Sequence, residues 1–160
     1  MAQQLCNVLG ARTIVTSSSD EKLARVKQIG AWQTINYRRN PDWDQVVLEM
    51  TDGCGVDHTV EVGGAGTLQK SMNATRFSGS IGVIGILTGG QVDPIAILRR
   101  SLRLRGIYVG SRRMFENMNR AIGAHKLSPV IDATYAFEDA AQAYHDMRAA
   151  GHFGKLVITI

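Results

Sequence analysis

Residues Val56–Gly66 read VDHTVEVGGAG, a strand-like run that passes directly into a glycine pair. Val56, Thr59, Val60 and Val62 favour an extended chain, and glycine straight after a strand lets the backbone turn where a Cβ would obstruct it. A helix over about Thr67–Arg76 is expected next. Phe77-Ser78-Gly79 then turns the chain into Ser80–Leu87 (SIGVIGIL), a near-continuous apolar run of the kind buried on both faces of a sheet. Strand, glycine turn, helix, strand is the repeating unit of a parallel α/β fold.

The same alternation extends in both directions. Met1–Ala11 (MAQQLCNVLGA) reads as a helix and Thr13–Thr16 (TIVT) as a strand. Ser18 and Glu21 stand in capping-box spacing, Leu23, Val26 and Ile29 make a helical stripe, and Gly30 is a stop. Gln33–Asn36 is a short strand. Pro41 opens a helix that turns Trp43, Val46, Val47 and Met50 inward, and Asp52-Gly53 ends it. Toward the C-terminus the pattern predicts a short helix over Ile95–Arg100, a strand over Leu104–Val109 and a helix over Arg113–His125. A strand over Val130–Tyr135, a helix over Phe137–Ala150 and a strand over Lys155–Ile160 complete it.

At 160 residues, 44% hydrophobic and 20% charged, the chain is long enough for one domain with its own core. No apolar run approaches the roughly 18 residues that span a membrane, and the first residues lack the order of a secretion signal, so a cytoplasmic protein without membrane contact is expected. Cys6 and Cys54 lie on unrelated elements and supply neither a disulfide framework nor a zinc site; Cys6 reads as core and Cys54 as turn. The net charge of +4 and the arginine clusters at Arg38-Arg39, Arg99-Arg100 and Arg112-Arg113 raise a nucleic-acid site. Without interleaved aromatics a solvated surface is the better account, and a basic nucleic-acid-binding domain ranks third among the functions considered. His58, His125, His145 and His152 are scattered without ligand spacing, so no catalytic residue and no metal ligand is assigned.

The glycines carry the functional signal. Gly63-Gly64, Gly85 with Gly89-Gly90, and Gly110 follow three successive strands. In an open parallel sheet ligands lie beyond the carboxyl ends of the strands, where a missing Cβ admits a cofactor to the backbone. One such loop is an ordinary turn; three in succession at one sheet edge predict a cofactor crevice.

In order, GAWQTINYRRNPDW, GCGVDHTVEVGGAGTL, IGVIGILTGG, LRGIYVGSRRMFENMNRAI and HFGKLVI resemble the cofactor domain of the medium-chain dehydrogenase/reductase superfamily, in its zinc-type alcohol dehydrogenase and quinone oxidoreductase branches. The resemblance implies a Rossmann-type doubly wound parallel sheet and an oxidoreductase that moves a hydride between a nicotinamide dinucleotide and an alcohol, carbonyl, quinone or enone. It places Ser17 where NAD-preferring relatives carry an acidic residue on the adenosine ribose, and Lys22 and Tyr37 where a 2′-phosphate is met, which favours NADP(H) over NAD(H). By the same resemblance Val62, Gly63, Gly85, Ile86, Leu87, Val109, Gly110 and Ser111 line the nicotinamide half, and Lys155 matches a basic residue near the cofactor.

The resemblance also defines what these residues do not match. The family's first strand and Gly-rich turn have no counterpart ahead of Met1, and neither has the domain that supplies substrate pocket or zinc ligands. The fold is therefore expected to be incomplete, with residues 1–129 a partial NAD(P)-binding domain and 130–160 a segment that in relatives packs on the catalytic domain. Val157, Ile158 and Ile160 would then lack partners. The chain alone is expected to be an inactive fragment, with zinc and a homodimer left open for a full-length enzyme. A non-catalytic NADP-binding regulator is the alternative.

Overall fold

The computed structural model describes residues Met1–Ile160. The chain folds as an α/β protein whose strands all pair in parallel. It begins with helix α1 (Ala2–Val8), strand β1 (Ile14–Ser17), α2 (Asp20–Gln28), β2 (Gln33–Asn36) and α3 (Trp43–Met50). Then follow β3 (Val56–Glu61), α4 (Ala65–Ala74), β4 (Thr75–Val83), α5 (Ile95–Arg100), β5 (Arg103–Gly106) and α6 (Arg112–Ala124). β6 (Ile131–Tyr135), a 3₁₀ turn at Phe137–Asp139, α7 (Ala140–Ala149) and β7 (Lys155–Ile158) complete the chain.

The strands form three sheets, β1-β2, β3-β4-β5 and β6-β7. Side chains alternate across β1 and so serve two layers: Val15 packs with α2 on the Leu23–Val26–Ala31 cluster, while Ile14 packs with α3 on Ile35, Val47 and Ala74. Val56 of β3 joins that second cluster, which thereby links the first two sheets. A third cluster of Met72, Ile81 and Leu102 seats α4 and α5 on one face of β3-β4-β5. No residue of α6 is buried, and Met114 and Phe115 on it face solvent.

Several local expectations need correction. The cap of α2 is Ser19, whose hydroxyl accepts from the Lys22 amide at 3.3 Å, one residue beyond the predicted Ser18; the Ser18 carbonyl instead receives the Asn36 side chain. Pro41 stands ahead of α3, whose N-cap is Asp42. Phe77-Ser78-Gly79 does not separate helix from strand: α4 ends at Ala74, β4 starts at Thr75, and Ser78 at φ 57° absorbs the turn as a register jump between Val56↔Thr75 and His58↔Ser80. Beyond Val83 the apolar run leaves the sheet, and β5 ends at Gly106 rather than continuing to Val109. Cys6 is only half-buried, because α1 buries no residue.

The C-terminal segment is partnered. β7 pairs with β6, Phe153 packs on the Leu23–Val26–Ala31 cluster, and Arg25 both stacks on the Phe153 ring at 4.4 Å and bridges Asp132 at 2.8 Å. Val157 and Ile158 are half-buried, whereas Ile160 is free in solvent.

Candidate functional site

The carboxyl ends of β3, β4 and β5 lie on one side of their sheet, because all three strands run in parallel. There the backbone of one loop is built into the next. Ile84 and Gly85 donate their amides to the Glu61 carbonyl at 2.8 and 3.1 Å, and Thr88 donates its amide to the Gly63 carbonyl at 3.0 Å. The Thr88 hydroxyl donates to the same Gly63 carbonyl and accepts from the Gly66 amide. Gly85 sits so close to Val62 that a Cβ would overlap its carbonyl, and Gly64 turns at φ 100° with the Thr88 carbonyl 3.0 Å from where its Cβ would be. These glycines close the two loops upon each other, a tighter requirement than room for a ligand.

Beneath this junction lies Glu61, 4% exposed. Its Oε1 accepts from the Gly63 amide at 2.7 Å, the Gly64 amide at 3.1 Å and the Thr67 hydroxyl at 2.6 Å, and Oε2 accepts from the Ser71 hydroxyl. Burial opposes ionisation and is the largest single influence, yet the Ser71, Thr67, Gly63 and Gly64 hydrogen bonds together outweigh it and hold the carboxyl below its ordinary 4.5. Sequence reasoning missed Glu61, Thr67, Ser71 and Thr88. The available signal was Glu61 itself, a charge at the inward phase of a strand, followed by two glycines and by hydroxyls in the first and second turns of the next helix.

Above the junction the side chains are bare. Ile86, Leu87, Tyr108 and Val109 are 90, 83, 95 and 76% exposed, an apolar rim on consecutive loops of the kind soluble proteins use for binding. Space is open around Gly89 and Gly106, and only the Met114 side chain approaches Gly110. Ser111 caps α6, its hydroxyl accepting from the Met114 amide. Val62, Gly63, Gly85, Ile86 and Leu87 are thus brought together, and Val109, Gly110 and Ser111 follow the neighbouring strand.

Ser17, Lys22 and Tyr37 lie around the β1-β2 sheet and the helix α2 between its strands. Ser17 ends β1, and its carbonyl receives the Tyr37 amide at 3.1 Å. Lys22 lies one turn into α2, and its Nζ donates to the Ala150 carbonyl at 2.7 Å. Of the two carboxylates in the first turn of α2, Asp20 is taken up by Arg39 and Asn36, whereas Glu21 is exposed and pairs with no cation. Lys155 starts β7 and acts on the Met1 ammonium, whose pKa is lowered first by burial and then by this cation.

An apolar rim above closely joined backbone loops fits the nicotinamide portion of a dinucleotide. The residues do not fit a zinc ion: no three His, Cys, Asp or Glu side chains converge to hold one. No helix is long and apolar enough to cross a membrane.

Residues 1–124 match the family model described as zinc-binding dehydrogenase. A zinc-type alcohol dehydrogenase-like protein of Schizosaccharomyces pombe is 39% identical over 99% of this chain and 48% of its own length. A solved NAD-dependent alcohol dehydrogenase superposes with a TM-score of 0.90 at 32% identity, covering 99% of this chain and 47% of that one. A mycobacterial protein solved in complex with NADPH superposes with a TM-score of 0.80 at 25% identity, covering 99% and 53%. The chain therefore spans about half the length of the curated relatives it matches. It belongs to the zinc-binding dehydrogenase family and carries the Rossmann-like fold of that family's cofactor domain.

Proposed function

We propose that this chain is the NADP(H)-binding portion of an oxidoreductase of the alcohol dehydrogenase and quinone reductase kind. Residues 1–129 make up the cofactor portion, 130–160 the segment shared with a catalytic unit, and the 160 residues alone carry no turnover. The observation behind this reading is the junction of the β3 and β4 loops, which leaves Ile86, Leu87, Tyr108 and Val109 uncovered. Bound there, nicotinamide would supply the hydride chemistry, and the protein would bind and orient it. Tyr108 is the one side chain of the rim that can exchange a proton, and its near-complete exposure agrees with chemistry that needs a substrate pocket from elsewhere.

NADP(H) is favoured over NAD(H) because Ser17, at the end of β1, is uncharged and Arg39 engages Asp20, so the end of β1 itself presents no carboxylate to a 2′-phosphate near Lys22 and Tyr37. Lys22 can serve such a phosphate while bonded to Ala150, since an ammonium carries three donors. Titration with NADPH and with NADH, followed by cofactor fluorescence and thermal shift together, tests the reading. Tighter binding of NADPH, a Lys22→Ala variant that narrows the difference, and no turnover of alcohols, aldehydes or quinones are expected. Preference for NADH would overturn the cofactor assignment, and robust turnover would overturn the fragment reading. Binding that lowers the activity of another protein would favour the regulatory alternative.

A further inference from the structure

A buried carboxylate is costly to desolvate, and an apolar side chain beside the Met72–Ile81–Leu102 cluster would stabilise a sheet at least as well. What Glu61 does instead is local. Three donors converge on one of its oxygens, two of them the Gly63 and Gly64 amides at the start of α4, and a hydroxyl from the second turn of α4 holds the other. Free amides at a helix start are where a phosphate would bind. Here the first amides of α4, Ala65 and Gly66, are held by the Thr88 carbonyl and hydroxyl, and the two amides just ahead of them are filled from below by the chain's own anion.

We propose that Glu61 is a resident anion of the Gly63-Gly64 turn that leads into α4, which keeps phosphate out of the β3–β4 loop junction and so sets which end of a dinucleotide it receives. With Glu61 in place, the Gly63 and Gly64 amides are no longer free to serve a phosphate, and a negative charge lies beneath them. An uncharged dihydronicotinamide or a cationic nicotinamide ring is accepted above, and the phosphate-rich adenosine end is directed toward Ser17, Lys22 and Tyr37. Glu61 acts through the Gly63-Gly64 turn and is a positioning residue. This inference rests on the cofactor reading, but its central test requires no dinucleotide.

The test is chemical rescue in Glu61→Ala. Amide hydrogen exchange at Gly63 and Gly64 should accelerate at least tenfold in the variant while the amides of Ile81 and Gly82 keep their protection. Sodium formate, and not chloride, should restore the slow exchange. Inorganic phosphate should move the Gly63 and Gly64 amide resonances in the variant and leave them in place in the unaltered chain. If the variant melts without cooperativity, recovery of the melt in formate reads the same role, whereas no recovery would overturn it. Glu61→Gln, which keeps the shape and an acceptor oxygen, should show intermediate exchange; a glutamine variant indistinguishable from the unaltered chain would overturn the requirement for charge. Adenosine 2′,5′-bisphosphate should move Ser17 and Tyr37 and not Gly63 or Gly64, and the reverse would overturn the assignment of ends. Failure of NADPH, NADH and the bisphosphate to bind would count against the cofactor reading alone, with the formate result still deciding the role of Glu61.

Discussion

Below the loop junction every polar group of Glu61 is engaged and nothing is accessible; a few ångströms of chain further on, Ile86 and Leu87 make almost no contact with the rest of the molecule. The two regions share the same strands. Their difference separates what holds a site from what meets a ligand: backbone, the Thr88 hydroxyl and one buried carboxylate fix the loops, so the side chains of Ile86 and Leu87 are released from any duty in folding.

Gly85 and Ile86 are neighbours on opposite sides of this division, and substituting each gives the largest contrast. Gly85→Ala drives a Cβ into the Val62 carbonyl, and neither backbone segment can step aside. A cost of about 3 kcal/mol, on the order of 10 °C in the melting midpoint, is expected. Ile86→Ala should change stability by less than about 0.5 kcal/mol. Equal effects in thermal melts would erase the division.

Ile81→Ala offers a comparison of similar size inside the sheet. Ile81 is 1% exposed and packs with Met72 and Leu102, so truncation should cost about 2–4 kcal/mol, against near-neutrality for Leu87→Ala. Urea denaturation would measure both, with the slope expected to stay unchanged.

Acid sharpens the same boundary more gently. Because the Glu61 carboxyl sits below its ordinary value, the unfolded chain takes up that proton first as pH falls. The stabilisation is whole above about pH 4.5 and drains away as pH drops through the lowered native value. In Glu61→Gln the dependence of stability on pH below 4.5 should flatten. An unchanged profile would assign the acid sensitivity to other carboxylates. The smallest expected effect is on binding alone: Ile86→Ala and Leu87→Ala should each weaken NADPH several-fold, about 1 kcal/mol, without altering the melt of the free chain.

Much of this organisation is legible in the sequence. β2 and α5 fall where they are expected, Gln33–Asn36 shortly after the Gly30 stop and Ile95–Arg100 directly after Pro94. β4 was harder: Ser78 carries a left-handed turn that local rules assign to glycine, and the Ser80–Leu87 run looks uniformly buried although its second half hangs free. The cap of α2 is misplaced by one residue because Ser18, three residues ahead of Glu21, has the capping-box spacing that Ser19 lacks. Glu61 escaped notice because a charged residue inside a strand reads as solvent-facing until the turn and helix that satisfy it are in place. The docking of Phe153 depends on a contact between residues more than a hundred positions apart, which no local pattern encodes.

The paired loops have a calorimetric consequence. Residues 62–66 and 84–88 are tied together by the Thr88 and Glu61 hydrogen bonds before any ligand arrives, so most of their ordering entropy is spent during folding. Binding heat at this end of the sheet should be little opposed by entropy, and covering Ile86, Leu87, Tyr108 and Val109 should appear as a negative heat-capacity change.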